Sequence, residues 1–476
     1  MNTASTEFRK RVRMALADDE LQHAMGRAKG GFVLNRQKAI AEFPEFHQMT
    51  DAARDIKDHV LMNLDLYLEI YEKKVLENGG QVHWARTAEE ASTIVEGLCR
   101  RSGARKITKG KSMVSEEINL NEKLEKSGMQ VIETDLGEYI VQLASEKPSH
   151  IIAPAVHKTR NQISKLFYKH HKPMGYADKV SERKEIVQQA RSVLRNHFVE
   201  SDIGITGANF LIAETGSSVI VTNEGNGDLT SVLPRMQIVV AGIEKVIPSL
   251  EDLSVFLRVL ARSATGQEIS AYTSLYSGPR ANHADEEGPE QYHVVLVDNG
   301  RSSMLGSEYQ SMLRCIRCGA CLNHCTVYNV IGGHAYGSIY PGPMGSVLTP
   351  LIDGHENNTD LANACTLNGL CRTICPVHIP LPDLLRNHRT QQQRRKLTPF
   401  TGRFFFAIWV YLVRRPHFYQ IVLALPIWVL NRVGRKSGVI KRIPLANGWT
   451  NSRDFPCPSA QTFQRQWRAE MRKFNA

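Results

Sequence analysis

The run Cys315-Ile-Arg-Cys318-Gly-Ala-Cys321-Leu-Asn-His-Cys325 decides how the rest of this chain is read. Its spacing is C-x2-C-x2-C-x3-C. Three thiols two residues apart on a tight turn reach three corners of an iron–sulfur cube, and in two-cluster proteins of this pattern the fourth cysteine serves the other cluster. A partner run is therefore required, and it stands at Cys365-Thr-Leu-Asn368-Gly-Leu-Cys371-Arg-Thr-Ile-Cys375-Pro376. Cross-ligation assigns Cys315, Cys318, Cys321 and Cys375 to a first, four-iron (4Fe-4S) cluster, and Cys325, Cys365 and Cys371 to a second. The second set lacks a thiol because Asn368 stands where the spacing calls for cysteine. Two outcomes stay open: a three-iron (3Fe-4S) cluster, or a 4Fe-4S cluster with one iron held by Asn368, by water or by nothing. A carboxamide oxygen is a harder, weaker donor to this iron than thiolate, so Asn368 is at best a weak ligand. Structural zinc competes for any C-x2-C, but zinc takes four ligands from two pairs, which this run matches poorly.

Of nine cysteines, seven lie between Cys315 and Cys375, with Cys99 and Cys457 far away. No basic start followed by an apolar run opens the chain; Met1–Glu20 is polar and helix-like, so a cytoplasmic protein is expected. Clustered cysteines in that setting favour metal over disulfides. The thirty-nine residues between the two runs exceed the gap of small bacterial ferredoxins and suggest a helical ferredoxin scaffold with an insertion.

Working outward, 476 residues allow two or three domains. Residues 1–75 read as helical, with Val60, Leu61, Leu64, Leu68 and Tyr71 at helical spacing. From 76 to 300, strands and helices alternate, which implies one α/β domain with a parallel, wound sheet. Strands are expected at 81–85, 106–108, 130–133, 150–153, 210–214, 218–222, 237–242 and 293–297, and helices at 87–101, 117–126 and 249–263. Residues 305–390 form the cysteine domain and 391–476 a basic helical tail.

From Arg386 onward there are eighteen Lys or Arg against two acids, a balance of +16 in a chain whose net charge is +11. A solvated face or a surface for an acidic partner is the first reading; no finger, RNP-type or helix-turn-helix signature accompanies the charge, so nucleic acid is not expected. The tail's apolar runs, 404–413 and 421–430, are too short to span a bilayer. Packing against the body or a partner, or lying at a membrane surface, are their two readings.

Weaker signals remain. Lys109-Gly110-Lys111-Ser112 follows a strand but lacks the full P-loop pattern. Glu214, Thr215, Asn223 and Glu224 fall on loops of the kind that form ligand crevices in wound sheets. Glycines of the 332–345 segment could free backbone amides for cluster sulfurs. Cys99 reads as a buried apolar residue, and His157, His283 and His293 show no ligand spacing.

Residues 314–328, Gly332-Gly333-His334-Ala335-Tyr336-Gly337, Tyr340-Pro341-Gly342-Pro343-Met344-Gly345 and Pro376-Val377-His378-Ile379-Pro380-Leu381 resemble the LutB family, the iron–sulfur component of the lactate-utilisation system. Gly207-Ala208-Asn209-Phe210, Glu214-Thr215-Gly216-Ser217 and Thr222-Asn223-Glu224-Gly225 resemble its LUD domain, a wound sheet related to sugar-phosphate isomerase folds. The resemblance implies an electron relay in L-lactate oxidation to pyruvate, acting with a cysteine-rich and a second LUD-type partner. Thr326 stands where the family usually has proline and Asn368 where it usually has a cluster cysteine. With no G-x-G-x-x-G after a strand, nicotinamide chemistry is not expected, and the chain is expected to be non-catalytic alone. Two other functions fit the same residues: an electron-transfer subunit for another 2-hydroxy acid or a thiol–disulfide substrate, and an iron- or oxygen-responsive sensor.

Overall fold

The computed structural model describes residues 7–281, 287–444, 446–450 and 453–474. Residues 1–395 form one compact unit and 396–476 another.

The described residues of the first unit include ten strands: β1 (Gln81–Ala85), β2 (Lys106–Gly110), β3 (Gln130–Glu133), β4 (Ile203–Thr206), β5 (Phe210–Ile212), β6 (Ser217–Thr222), β7 (Met236–Gly242), β8 (Val246–Ile247), β9 (Tyr272–Tyr276) and β10 (Gln291–Val297). A six-stranded parallel sheet has the order β1-β10-β7-β4-β2-β3. Its central strands, Met-Gln-Ile-Val-Val-Ala-Gly in β7 and Gln-Tyr-His-Val-Val-Leu-Val in β10, are apolar on both faces because helices cover both. On one face Ile238, Val240, Val295 and Val297 pack with Val95, Leu98 and Cys99 of the helix Ala88–Arg101. On the other, Val239, Ala241, Val294 and Leu296 meet Leu68, Tyr71 and Val75 of the helix Leu64–Glu77. This amino-terminal helix is thus part of the α/β layer structure.

Three sequence expectations change. Phe210–Ile212 and Ser217–Thr222 do not join the parallel sheet; they form a second, mixed sheet in the order β8-β5-β6-β9, with β5–β6 and β6–β9 antiparallel. Short apolar runs look alike in either sheet, and pairing partners are not written in them. The helix expected over 117–126 is two helices, Met113–Glu117 and Leu120–Lys126, broken at Asn119, whose left-handed backbone (φ 52°) is one that Asn tolerates. Residues 150–153 form a loop instead of a strand, held by His150: its Nδ1 accepts the N–H groups of Ile152 (3.1 Å) and Ala153 (3.2 Å).

The cysteine segment does not keep its core to itself. Met312, Leu313, Ile316 and Leu322 share one with Phe46 and Ala53 of the helix Phe46–Met62 and with Phe210 and Phe256 of the α/β part. In the second unit the helices Phe400–Val413 and Pro416–Gly434 leave Phe404, Phe405, Trp409, Ile421, Leu425 and Trp428 exposed. Among the described residues, no helix is long and apolar enough to cross a membrane.

Candidate metal centre

Both cysteine runs fold as the same turn. Arg317 and Leu367 take left-handed backbone (φ 59° and 55°), Gly319 and Gly369 follow at φ 73° and 87°, and the short helices Ala320–Asn323 and Leu370–Thr373 begin directly after each glycine. A glycine is needed there because a Cβ is strained at such φ. The matched turns pair Cys315 with Cys365, Cys318 with Asn368, Cys321 with Cys371 and Cys325 with Cys375. Hydrogen bonding follows the same correspondence. The Ala320 N–H donates to Cys318, and the Leu370 N–H donates to Asn368 Oδ1 at 3.1 Å. Asn368 therefore keeps its oxygen engaged in its own turn, and it is exposed where Cys318 is buried.

The seven thiols fall into two adjoining groups. Cys318 and Cys321 feel the charges of Cys315 and Cys375, while Cys325 and Cys371 feel that of Cys365; Cys321 also senses Cys371 across the divide. Burial pushes Cys318 and Cys371 up to about 12, Cys375 to about 11, and Cys321 well above the usual thiol range. All seven are free thiols. Soft sulfur donors gathered in an apolar interior, where a proton or a metal must balance each thiolate, fit sulfur-bridged iron. Backbone N–H groups already point at these sulfurs: Tyr328 to Cys325 (3.4 Å), Leu367 to Cys365 (3.3 Å) and Ile379 to Cys375 (3.4 Å). Such donors stabilise negative charge on a cluster and tune its potential.

The 332–345 loop contributes in another way than its glycines suggest. A Cβ on Gly333 would lie 1.9 Å from the Ser149 carbonyl and one on Gly345 1.7 Å from that of Tyr340, so these glycines serve close packing. The group from this loop that reaches a cluster cysteine is the Tyr336 hydroxyl, which donates to Cys325.

Beside the first thiol group lies a buried ionic network. Arg301 donates from Nη1 and Nη2 to Glu117 (both 2.8 Å) and from Nε to Glu244 (2.6 Å), and Arg317 Nη2 donates to the other Glu244 oxygen (3.3 Å). The Tyr340 hydroxyl donates to Glu117 at 2.6 Å. Burial would raise both carboxyls, but Arg301 together with Asn299 and Tyr340 at Glu117, and with Arg317 and Lys245 at Glu244, outweighs it; Glu117 is lowered and Glu244 falls to about 2. The network ties the α/β part (Glu117, Glu244, Arg301) to the cysteine segment (Arg317, Tyr340). Of its members Tyr340 and Arg317 lie in stretches that the sequence marked out; nothing in the sequence connects either to Glu117, Glu244 or Arg301.

The remaining residues sort themselves. Lys111, Ser112, Asn223 and Glu224 border a crevice at the carboxyl ends of the parallel strands. Glu214 instead accepts the Leu250 N–H (3.1 Å) and Thr215 bonds Ser217 (2.7 Å), which is turn chemistry. Cys99 is fully buried. His157 has partners that its sequence neighbourhood does not show: Glu146 at 2.7 Å and the ring of His334 at 4.5 Å, with Lys158 on the other Glu146 oxygen. His293 faces His83 at 3.1 Å, and His283 lies outside the described residues.

Comparison with known proteins gives the same two parts. Residues 68–297 match the LUD domain and residues 311–379 the 4Fe-4S dicluster domain. Lactate utilization protein B of Bacillus subtilis (strain 168) is 41% identical over 99% of this chain and 97% of its own, and that of Oceanobacillus iheyensis 41% over 97% and 95%. An uncharacterized electron transport protein of Escherichia coli (strain K12), YkgF, is 40% identical over 98% and 97%. With its wound α/β part, its paired cysteine turns and this full-length likeness, the chain belongs to the lactate utilization protein B family.

Proposed function

We propose that this chain is the iron–sulfur electron-transfer component of a multiprotein system that oxidises L-lactate to pyruvate. The observation that carries the reading is the pair of adjoining thiol groups, part-buried to buried, on matched turns in a chain so similar to proteins named for lactate utilization. Cys315, Cys318, Cys321 and Cys375 hold the first cluster, of the 4Fe-4S type. Cys325, Cys365 and Cys371 hold the second, 4Fe-4S or 3Fe-4S, with Asn368 beside its open corner. When bound, the clusters carry single electrons. The protein's own part is to bury them, to aim amide and Tyr336 hydrogen bonds at their sulfurs, and to place Arg36, which is 8% exposed and donates to the Ile374 carbonyl (3.0 Å), next to Cys318 and Cys375. Removal of hydride or its equivalent from the substrate falls to the partners, a cysteine-rich protein and a second LUD-type protein. Anaerobically reconstituted chain should therefore stay oxidised with lactate alone and become reduced once partner proteins are added. Cys318→Ser should remove one cluster, spare the other, and cut lactate-dependent dye reduction at least tenfold. Lactate turnover by the isolated chain, or zinc without acid-labile sulfide, would sink the reading.

The tail is read as a contact with the inner face of an anionic membrane. Residues 396–476 carry fourteen Lys or Arg against two acids, and the exposed Trp409, Trp428, Trp449 and Trp467 suit the polar–apolar boundary of a lipid surface. Each basic residue near such a surface contributes about 1 kcal/mol, screened by salt. Full-length protein should co-sediment with phosphatidylglycerol vesicles, far less with phosphatidylcholine, and Trp409→Glu with Trp428→Glu should weaken this at least tenfold. Equal sedimentation of wild type and double variant would overturn it.

A further inference from the structure

A crevice of about 440 Å³ opens where β2, β3, β4 and β7 end. The loops that leave these strands supply Lys111, Asp135, Gly207 and Lys245 to its lining, and the cysteine segment supplies Arg317. In wound parallel sheets this is where ligands bind, because strand ends and loop starts diverge there. Ile151, Val221 and Leu260 give it apolar walls.

Its charges do not cancel. Lys111 is taken up by Asp135 and, at 3.2 Å, by Glu224. Burial, reinforced by Glu133 and Asp135, holds the Glu138 carboxyl well above the usual carboxylate range, and Glu138 accepts the Lys111 N–H at 3.2 Å. Two cations remain. Lys245 is 6% exposed and has neither a hydrogen bond nor an ion pair among the described residues. The Arg317 side chain is 9% exposed; its Nη2 reaches Glu244, while Nε and Nη1 have no partner. Glu244 and Cys315 lie near both cations and offset part of the cost of burying Lys245; an anion in the crevice would offset more of it.

We propose that this crevice is a binding site for a small carboxylate with an apolar body, received by Lys245 and Arg317. Phosphate fits less well. The Asp135 side chain already accepts the Gly137 (2.9 Å) and Glu138 (3.3 Å) N–H groups at the start of the helix Leu136–Leu143, so the amides a phosphate would use are occupied. Asp135 and Glu224 at the rim also oppose a dianion. Because Arg317 sits between Cys315 and Cys318 in the chain, a ligand here is next to the first cluster. The inference rests on the proposed function only for that last point.

The test uses full-length, anaerobically reconstituted protein titrated with acetate, L-lactate and pyruvate, and with inorganic phosphate as the contrast. Calorimetry should show one saturable site for a carboxylate, with phosphate at least tenfold weaker. Lys245→Met should weaken carboxylate binding at least tenfold and Lys245→Arg should restore most of it. Without ligand, Lys245→Met should melt higher than wild type, since an unpaired buried charge is gone; a lysine that merely braced the fold would leave the variant melting lower. Carboxylate should also shift the midpoint potential of one cluster to more negative values, because nearby negative charge opposes an added electron. No binding of any carboxylate at 10 mM, tighter binding of phosphate, or unchanged binding by Lys245→Met would overturn the proposal. If clusters fail to form, the proposed function falls, while carboxylate binding and the melting behaviour of Lys245→Met still decide the crevice.

Discussion

Protein handled in air is expected to show the paramagnetic signal of an oxidised three-iron cluster, and Asn368→Cys is expected to abolish it. Asn368 occupies in the second turn the position of Cys318 in the first: each follows a left-handed residue and precedes a left-handed glycine, and each accepts the N–H two residues on. A cysteine at 368 would meet a backbone that already holds one in the other turn. The native carboxamide is a poor donor to this iron, its oxygen is engaged by Leu370, and the position is exposed, so water reaches the open corner. The iron there should be lost first. Cys365→Ala should destroy the second cluster in the wild-type background, because Cys325 and Cys371 alone remain. In the Asn368→Cys background the same change leaves three thiols, and a labile cluster should survive. Unchanged iron content on Cys365→Ala in the wild type would show that the second site is built from other ligands.

Arg301→Met should lower stability by about 3–5 kcal/mol, the cost of leaving buried carboxylates without their partner. Arg301 is 1% exposed, Glu117 is fully buried and Glu244 is 2% exposed, so water cannot substitute. Arg317 at 3.3 Å compensates only Glu244. Replacing the whole group, with Glu117→Gln and Glu244→Gln added to Arg301→Met, should recover more than half of the loss, since no uncompensated charge is then buried. Anaerobic thermal melts of the reconstituted variants read both effects. A single variant that melts with the wild type would mean that the network contributes nothing to holding the two parts together. The cluster absorbance should fall with the fold in Arg301→Met, because Arg301 no longer holds Glu117 and Glu244 in place for Tyr340 and Arg317.

Much of the design was legible in the residues. Seven cysteines at these spacings admit few arrangements, and the absent thiol at 368 is visible by counting. Helices flanking the central strands could be read too, because a parallel sheet buried on both faces leaves continuous apolar runs such as Ile238–Ala241. The tail's charge and its short apolar runs are likewise matters of composition.

Other features were set by pairing across long separations, which local patterns do not carry. Whether Phe210–Ile212 joins a parallel or a mixed sheet depends on β6, β8 and β9, not on its own three apolar residues. Residues 150–153 have the β-branched look of a strand, yet His150 turns them into a loop and bonds Asn323 beside the first cysteine turn at 2.9 Å. Glu146 meets His157 and His334, and Glu117 meets Arg301 and Tyr340, over separations of up to more than two hundred residues. The sequence by itself determined the number and spacing of the cysteines, the missing thiol and the α/β-plus-cysteine order, because those depend on residue type and short spacing. Only the tertiary structure decided the ionic network and the cationic crevice behind Arg317, because a buried charge acquires its meaning from whichever distant groups the fold brings, or fails to bring, within about 3 Å of it.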